Sequence, residues 1–375
     1  MGETVKKNLH LLCDEKITSG IIDNFETVLP GLNDYIYFLN SDTTPLFARQ
    51  SENCYIYRED EKKPELNYAG YSKIIIHSLS FNKVKFCLNT LPPNIPIYWI
   101  MWGGDLYNTF LELRGYKIYH KFFGRRSLRS RIKRFIQRLG FLSNHTRSYL
   151  SIFEKRDVTM VCAKAEYQLL RKYYPHQTRA LKNNPNFFYY PVEKVLGPFV
   201  DAEAKGNTIL VGNSNSLTNN HFYTFEFLKK VNLEDRKLLV PLNYGGTEIS
   251  KNEVIKEGKR LFGERFQPLT DFLPLEEYNK RMLEAEYAVY GNWRQEAMGN
   301  IVIALYLGSK VFLSKRNPLL NFFGSVGIKI FILEEVTEDS FQVPLSKDER
   351  ENNRRLIQQN FSWERMQDNI KSLFG

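Results

Sequence analysis

Long apolar runs and an apolar leader are both missing from this 375-residue chain. The longest apolar stretch, 301–313, contains Gly308 and Lys310 and is shorter than the ~18–20 residues that cross a bilayer. The N-terminal segment MGETVKKNLHLLCDEK lacks the apolar core of a secretory signal. We therefore expect neither an integral membrane protein nor a secreted one.

Metal-binding and disulfide patterns are also scarce. The cysteines lie 41, 33 and 75 residues apart, at Cys13, Cys54, Cys87 and Cys162. This spacing is typical of neither a CxxC metal site nor a disulfide-rich scaffold. The six histidines form no HExxH motif. We expect no bound metal, small thiols packed as apolar groups, and a cytoplasmic location.

The remaining composition is that of a globular protein, with 43% hydrophobic and 25% charged residues. Short β-rich runs alternate with helical stretches along the whole chain. The predicted strands are 35–39, 54–57, 73–77, 97–101, 158–162, 208–211, 237–241, 287–290, 310–313 and 329–332. The predicted helices are 221–230, 252–262, 275–286, 300–307 and a final segment, 347–374. This alternation predicts an α/β fold with a doubly wound, Rossmann-like sheet in each half, joined by a linker at 192–206.

The net charge of +10 is placed unevenly. Residues 1–195 hold 29 Lys and Arg against 18 Asp and Glu, whereas residues 196–375 hold 23 against 24. Residues 120–150 contain nine cationic residues and no acidic one. Apolar residues recur there at spacings of three and four, which predicts a basic amphipathic helix over 125–139. Such a helix suits an anionic membrane surface, a nucleic acid or a solvated protein surface.

In a doubly wound sheet, ligands bind where strands end, so the residues that follow strands are the candidate binding residues. The strand NTILV leads into a polar loop with Gly212, Asn213, Ser214, Asn219 and His221. Gly212 permits a tight turn, and the start of the next helix suits a diphosphate. Asn and Ser are also common helix caps, so a capped turn is the alternative. The next strand ends near Asn243 and Tyr244, where Tyr244 can stack on a nucleobase or simply form a turn.

The most informative loop follows the strand AEYAVYG. Its candidate residues are Arg294, Gln295, Glu296, Met298, Gly299 and Asn300. Arg294 can neutralise phosphate, and Glu296 can accept hydrogen bonds from sugar hydroxyls. A surface loop is the alternative. The following strand, KVFL, leads to a cationic turn that contains Asn317.

Two candidates lie in the first half. Asp105 follows the strand IPIYWIMW and two glycines, where it can act as a base, a hydrogen-bond acceptor or a helix cap. His77 ends the strand SKIIIHS and is either a structural histidine or a second candidate base.

Four blocks, in this order, resemble the TDP-N-acetylfucosamine:lipid II N-acetylfucosaminyltransferases, which transfer 4-acetamido-4,6-dideoxygalactose during assembly of enterobacterial common antigen. The blocks are IIIHS, WIMWGGDLY, ILVGNSNSLTNNH followed by LLVPLNYG, and GNWRQEAMGNIVIALYLGSKVFLSKRNPL. They span roughly residues 70–325. The family has a more Gly-rich loop after its Arg-Gln pair, whereas this chain has Glu296, Ala297, Met298 and Asn300. This departure leaves the exact donor sugar and acceptor open.

The resemblance implies a GT-B glycosyltransferase with two Rossmann-like domains facing a cleft. It implies an acceptor-binding, membrane-facing domain over 1–195, a nucleotide-sugar domain over 196–350, and a helix over 351–375 that crosses back to the first domain. It also implies a nucleoside-diphosphate sugar as the donor substrate, no separate cofactor and no metal.

The implied acceptor is an undecaprenyl-diphosphate-linked saccharide at the cytoplasmic face of the inner membrane, with the basic helix 125–139 on the lipid surface. Asp105, His77 and Glu296 are the candidate catalytic residues. The alternatives are a sugar-nucleotide epimerase of similar architecture and a nucleic-acid-binding protein that uses the basic helix.

Overall fold

The computed structural model describes residues 6–120, 144–185 and 189–375, which fall into two compact units. The first unit takes the described residues up to Tyr116, those from 144 to Tyr189, and Met366–Gly375. The second unit takes 117–120 and Tyr190–Arg365. The predicted basic helix 125–139 lies outside the described residues.

The first unit contains a seven-stranded sheet in which all neighbouring strands are parallel, in the order β3-β2-β1-β4-β5-β6-β7. Its strands are β1 (Lys7–Cys13), β2 (Asn33–Leu39), β3 (Cys54–Arg58), β4 (Tyr71–His77), β5 (Ile97–Ile100), β6 (Val158–Val161) and β7 (Lys182–Asn184). Five of them match predicted strands to within two residues. The prediction missed β1 and β7, because polar residues interrupt both segments and hide them from a search for apolar runs.

The second unit contains a six-stranded parallel sheet in the order β10-β9-β8-β11-β12-β13. Its strands are β8 (Thr208–Val211), β9 (Lys237–Pro241), β10 (Phe266–Leu269), β11 (Ala285–Tyr290), β12 (Lys310–Leu313) and β13 (Phe331–Ile332). The missed strand, β10, contains Pro268, which an edge strand tolerates because one side of its backbone has no neighbour to bond.

Helices connect the strands. The helices of four or more residues in the described part of the chain are α1 (Thr18–Val28), α2 (Phe81–Asn89), α3 (Asn144–Lys155), α4 (Lys164–Tyr173), α5 (Val192–Leu196), α6 (His221–Leu228), α7 (Glu248–Phe262), α8 (Leu275–Leu283), α9 (Met298–Tyr306), α10 (Leu319–Ser325), α11 (Lys347–Phe361) and α12 (Trp363–Phe374), apart from the π-helical turn described below. None of the helices within these described residues is long and apolar enough to span a membrane.

Three segments differ in detail from the prediction. The first five residues of the predicted linker 192–206 form helix α5. The predicted final helix 347–374 is two helices, since Ser362 adopts an extended conformation and its hydroxyl accepts a hydrogen bond from the Arg365 N–H at 3.1 Å. The third segment is a short helical turn, Gly104–Leu106, followed by a π-helical turn, Tyr107–Leu111, and a 3₁₀ turn, Glu112–Arg114. Asp105 lies inside the first of these turns rather than at its N-cap.

The packing of each unit follows from its sheet. In the first unit, Trp99 on β5 stacks on Phe153 of α3, with ring centroids 5.7 Å apart. In the second unit, Phe225 of α6 packs edge-on against Phe266 of β10, at 5.8 Å. Burial of such large apolar side chains on both faces stabilises parallel sheets, each side chain contributing about 1.5–3 kcal/mol.

The order of strands changes direction between β1 and β4 in the first sheet and between β8 and β11 in the second. At such a switch the two connecting loops diverge to opposite faces of the sheet and leave a crevice at the carboxyl ends of the strands. The residues that follow β4, β8 and β11 are therefore placed where ligands bind in doubly wound sheets.

Candidate active site

The loop after β8 is a tight turn closed by its own side chains. Gly212 has φ 71°, and a Cβ at this position would lie 2.7 Å from Asn219 Oδ1, so only glycine fits. Asn219 Oδ1 accepts a hydrogen bond from the Asn213 N–H at 2.9 Å, and Asn219 Nδ2 donates to Ser214 Oγ at 2.9 Å. Ser214 and Asn219 thus hold the loop in shape.

Asn213 links this loop to the loop after β9. Its Nδ2 donates to the Tyr244 hydroxyl at 2.9 Å, and the neighbouring Asn215 N–H donates to the Tyr244 carbonyl at 2.7 Å. The Tyr244 side chain remains 54% exposed. The structure therefore brings two of the predicted binding loops together and leaves an anchored aromatic ring at the surface.

The loop after β11 carries the predicted Arg294 and Glu296. Arg294 Nε donates to Glu296 Oε2 at 3.1 Å, and the two side chains are only 12% and 13% exposed. Asn292 Nδ2 donates to the same carboxylate oxygen at 3.0 Å and to the Thr218 carbonyl at 3.2 Å. Sequence reasoning did not select Asn292, although its position directly after β11 and Gly291 was a usable signal. The carboxylate of Glu296 thus orients the guanidinium.

Gly291 explains how closely this loop approaches the β8 loop. A Cβ at Gly291 would lie 2.2 Å from Thr224 Oγ1 and 3.2 Å from the Asn219 carbonyl oxygen. Any larger residue would push α6 away from β11, since a contact of that length must be relieved.

Helix α9 begins directly after this loop. Its first residues, Met298, Gly299 and Asn300, present backbone N–H groups, and no side chain in the described part of the chain caps them. The Asn300 side chain is turned to Tyr278, donating to its hydroxyl at 2.8 Å, and Gly299 lies against the Tyr190 ring. Helix α6 likewise begins without a side-chain cap. Uncapped N–H groups at the positive end of a helix dipole suit an anion.

The residue before α9 is Ala297, which has φ 61° and ψ 21°. An L-residue other than glycine pays roughly 1–2 kcal/mol for this left-handed conformation. This chain has Ala297 where the family it resembles has a more Gly-rich loop, so the backbone at the start of α9 is strained.

Replacement Ala297→Gly is expected to raise the free energy of unfolding by about 0.5 kcal/mol. Relief of the left-handed strain exceeds the entropy that glycine adds to the unfolded chain, which is ~0.5–1 kcal/mol. Denaturant titration measures the change. The matched control is Ala304→Gly inside α9, where the helix loses ~1 kcal/mol. A loss of stability in Ala297→Gly equal to that of the control would contradict the assignment of strain.

The loop after β12 is held by Glu334, a residue that sequence reasoning missed. Its carboxylate accepts hydrogen bonds from Ser314 Oγ at 2.7 Å, from the Lys315 N–H at 2.8 Å and from the Tyr223 hydroxyl. Asn317 Oδ1 accepts from the Leu319 N–H at 3.0 Å. These bonds fix the cationic turn against the end of β12.

Buried polar atoms without a partner gather on these four loops. Eight such atoms make no hydrogen bond with any described residue: Asn213 Oδ1, His221 Nδ1 and Nε2, Asn243 Oδ1, Tyr290 Oη, Asn292 Oδ1, Gln295 Oε1 and Asn317 Nδ2. Native proteins satisfy most buried polar groups, because each orphan costs ~1–3 kcal/mol. A concentration of them at the carboxyl ends of β8, β9, β11 and β12 is typical of a polar ligand site.

His221 belongs to this set and opens α6. The ring is 1% exposed, and burial lowers its pKa to about 4. It is therefore neutral at pH 7, when one ring nitrogen can donate a hydrogen bond and the other can accept one.

In the first unit, His77 is fully buried and both of its ring nitrogens have partners. Nε2 lies 3.0 Å from His10 Nδ1, and Nδ1 lies 2.7 Å from the Tyr189 hydroxyl. His77 thus connects two other residues, and the structure does not present it to a ligand directly. Its catalytic role stays a prediction.

Asp105 is 6% exposed and connects the loops after β4 and β5. Its Oδ2 accepts from the Leu79 N–H at 2.9 Å and from Trp99 Nε1 at 2.7 Å, and its Oδ1 accepts from the Trp102 N–H at 3.0 Å. Burial raises the pKa of this carboxyl, and the three donors oppose that rise. Of the roles predicted for Asp105, the geometry matches the hydrogen-bond acceptor.

All four cysteines have free thiols, and no group of three potential metal-ligating His, Cys, Asp or Glu side chains occurs in 6–120, 144–185 or 189–375.

Solved structures with the same fold are numerous. The sucrose-phosphate synthase of Thermosynechococcus elongatus superposes with a TM-score of 0.64 at 12% identity, covering 98% of each chain. A glycosyltransferase of Rickettsia africae gives 0.64 at 12% identity, covering 98% of this chain and 97% of the other. Anabaena HepE, solved with UDP and glucose, gives 0.61 at 11% identity, covering 98% of each chain. At these identities the likeness concerns the fold, which is GT-B.

The chain also matches the model of a protein family. The model of the family described as 4-alpha-L-fucosyltransferase, glycosyl transferase group 56, matches residues 72–347. This range covers most of the chain and includes every predicted site residue. It confirms a fucosyltransferase-like glycosyltransferase and favours that activity over an epimerase or a nucleic-acid-binding protein. The chain belongs to the glycosyl transferase group 56 family.

Proposed function

We propose that the carboxyl edge of the second sheet binds a nucleoside-diphosphate sugar, the donor of the glycosyl transfer. The observation that carries this proposal is the set of eight buried polar atoms around the carboxyl ends of β8, β9, β11 and β12 that have no hydrogen-bond partner among the described residues. A ligand rich in hydroxyl, phosphate and amide groups satisfies both donors and acceptors in such a set. The bound UDP and glucose of HepE, which shares the fold, support this choice of ligand class.

The diphosphate lies against Arg294 and the uncapped starts of α6 and α9 in this proposal. Transfer breaks the bond between the anomeric carbon and the diphosphate, so negative charge grows on the leaving group while the sugar gains oxocarbenium character. Arg294 and the helix N–H groups stabilise that charge. Glu296 holds the Arg294 guanidinium in place and accepts hydrogen bonds from sugar hydroxyls. The donor is the substrate, and no separate cofactor is invoked.

For the sugar and the acceptor, we infer a 6-deoxyhexose such as 4-acetamido-4,6-dideoxygalactose and an undecaprenyl-diphosphate-linked saccharide in surface-polysaccharide synthesis. The family description names a fucosyl transfer, and fucose is itself a 6-deoxyhexose. The nine cationic residues of 120–150 suit the anionic face of a membrane, since each contributes ~1 kcal/mol near such a surface. We therefore infer that the enzyme lies peripherally on the cytoplasmic face of the inner membrane and that its first unit binds the acceptor.

Nucleoside diphosphates are expected to bind and stabilise the protein in the presence of EDTA. Arg294 and two helix starts supply the positive charge that the diphosphate needs, so affinity does not depend on a divalent ion. A ligand at about 100 times its Kd stabilises the folded state by ~2.7 kcal/mol, which shifts the thermal midpoint measurably.

Thermal-shift measurements with dTDP, UDP, GDP and inorganic diphosphate, followed by calorimetry of the best binder, test this expectation. Inorganic diphosphate is the matched control for the contribution of the nucleoside. Binding that disappears on chelation would contradict the proposed role of the loops, and binding of none of the nucleotides would contradict the donor site itself.

A further inference from the structure

A chain of hydrogen bonds runs through the first unit, from the amino end of β2 through the middle of β1 to the carboxyl end of β4. Asn33 Oδ1 lies 3.1 Å from His10 Nε2, and His10 Nδ1 lies 3.0 Å from His77 Nε2. His77 Nδ1 lies 2.7 Å from the Tyr189 hydroxyl, to which Trp102 Nε1 donates at 3.1 Å. The chain thus joins two buried imidazoles to a partly exposed phenol.

Both imidazoles are neutral. His10 and His77 are completely buried, and the rings of Phe25 and Tyr35 pack on His10 at 4.4 and 4.7 Å. Burial lowers the pKa of His10 to about 3 and that of His77 well below its ordinary value. Each ring therefore carries a single N–H proton at pH 7, on either Nδ1 or Nε2.

Charged groups near the chain support the neutral state. The Lys83 ammonium donates to the His77 carbonyl at 2.6 Å and lies 3.0 Å from Cys13 Sγ, so its positive charge lowers the pKa of His77 further. Two carboxylates bond members of the network without a hydrogen bond to an imidazole: Glu26 reaches Asn33 Nδ2, at 3.4 Å, and the Tyr35 hydroxyl, and Asp105 accepts from the Trp102 N–H at 3.0 Å.

Asn33 sets the direction of the whole chain. Its Nδ2 donates to the Leu29 carbonyl at 2.8 Å, so the Oδ1 that faces His10 is an acceptor. His10 must then carry its proton on Nε2, which leaves Nδ1 to accept from His77 Nε2–H. His77 Nδ1 in turn accepts from the Tyr189 O–H.

We propose that His10 and His77 are positioning residues that direct the hydroxyl proton of Tyr189 inward, so that the Tyr189 oxygen meets the saccharide acceptor as a hydrogen-bond acceptor. In this arrangement the attacking hydroxyl of the acceptor donates a hydrogen bond to the Tyr189 oxygen, alongside the one from Trp102 Nε1. When the new glycosidic bond forms, the proton of that hydroxyl leaves with the departing nucleoside diphosphate. The two imidazoles stay neutral and do not take up the proton of the acceptor hydroxyl. This inference rests on the proposed function, because that function supplies the hydroxyl-bearing acceptor.

The hydrogen-bond chain from Asn33 to Tyr189 is called the relay below. Nitrogen-15 NMR of the full-length protein with labelled histidines tests the direction of the relay without any substrate. We expect His10 and His77 to be neutral, with the proton on Nε2 in both, between pH 6 and 8. A proton on Nδ1 of either ring, or a charged ring at neutral pH, would overturn the relay.

The variant Asn33→Asp is expected to reverse the direction of the hydrogen bonds between His10, His77 and Tyr189. A carboxylate beside His10 Nε2 favours the imidazolium, whose Nδ1–H then donates to His77 Nε2. The His77 proton moves to Nδ1 and donates to Tyr189, whose own proton turns away from His77. We expect His77 to change tautomer in the spectrum, and Asn89→Asp, which adds the same charge at an exposed position of the first unit, to leave it unchanged. An unchanged His77 tautomer in a folded Asn33→Asp protein would also overturn the relay.

Kinetics test the role toward the acceptor. With nucleotide-linked 4-acetamido-4,6-dideoxygalactose as donor and a polyprenyl-diphosphate-linked saccharide as acceptor, Tyr189→Phe and Asn33→Asp are expected to lower kcat/KM for the acceptor at least 10-fold. The nucleotide Kd should stay within 2-fold of the wild type in both. Wild-type acceptor kinetics in Tyr189→Phe would overturn the role of Tyr189, even if Asn33→Asp fails to fold. Failure of the wild type to bind any nucleotide would count against the proposed function and leave the NMR result on the relay intact.

Discussion

Replacement of Arg294 by alanine is expected to lower kcat/KM about 100-fold or more while the protein stays folded. Arg294 is the cation that the β11 loop holds beside Glu296, in a site where both side chains are nearly buried. A hydrogen bond from a charged group is worth ~1.5–3 kcal/mol, and stabilisation of a developing negative charge in a site that excludes water exceeds that in the transition state. Glu296→Ala should have a similar effect, because it releases the guanidinium from its position. Steady-state kinetics with the donor and acceptor given above measure both losses.

The matched control is Arg281→Ala. Arg281 also pairs with a glutamate in the second unit, Glu284, at 3.4 Å, but both side chains are more than half exposed. An exposed pair of this kind contributes at most ~1 kcal/mol to stability and has no part in the proposed site. Arg294→Lys separates charge from geometry, since lysine keeps the charge and loses the planar fork. If Arg294→Ala and Arg281→Ala both remained within 3-fold of the wild type, the β11 loop would have no role in transfer.

Replacement of Asp105 by asparagine is expected to lower the free energy of unfolding by about 2–4 kcal/mol. Both carboxylate oxygens accept from N–H groups, namely those of Leu79, Trp99 and Trp102. An amide has only one acceptor oxygen, so in either orientation its NH₂ group faces an N–H donor and leaves buried groups unpaired. Denaturant titration measures the loss. Asp23→Asn is the control, because the Asp23 side chain is 60% exposed in its pair with Arg49.

The same variant also tests the division of labour between the units. Asp105 holds the loop that follows His77 and the loop that contains Trp102, so its loss should reduce turnover on the acceptor and leave the nucleotide Kd unchanged. Equal losses of turnover and nucleotide affinity in Asp105→Asn would contradict that division, and stability within 0.5 kcal/mol of the wild type would contradict the anchoring role.

The two sheets illustrate which strands a sequence reveals. Strands such as β4 and β11 contain apolar runs, Ile74–Ile76 and Tyr287–Tyr290, because both faces of a parallel sheet are covered, and they were predicted to within two residues. Strand β1 was not, although its central residues are fully buried. Its polar residues, Asn8 and His10, are satisfied by partners from β2, β4 and the C-terminal segment, and those partners are distant in sequence.

The break at Ser362 has the same origin. The apolar spacing continues across it, so periodicity predicted one helix over 347–374. Met366–Gly375 pack with the first unit, where Phe374 contacts Phe25 at 5.4 Å and its carbonyl accepts from Asn8. These contacts determine which unit each of the two helices packs in. The local spacing of apolar residues does not contain that information.

The alternation of strands and helices could be predicted from the amino-acid sequence alone, and with it the positions of the loops that follow strands. Asn213, Tyr244, Arg294 and Asn317 were selected on that ground, because the carboxyl ends of parallel strands lie along one edge of a sheet. The contacts of these and the other candidate residues became visible in the tertiary structure. There, His77 contacts His10 and Tyr189, which are 67 and 112 residues away along the chain. The carboxylate of Asp105 accepts hydrogen bonds from three N–H donors. The reason is physical: local periodicity reflects which side of an element is buried, whereas the partner of a buried polar group is chosen by the packing of segments that the chain brings together only when it folds.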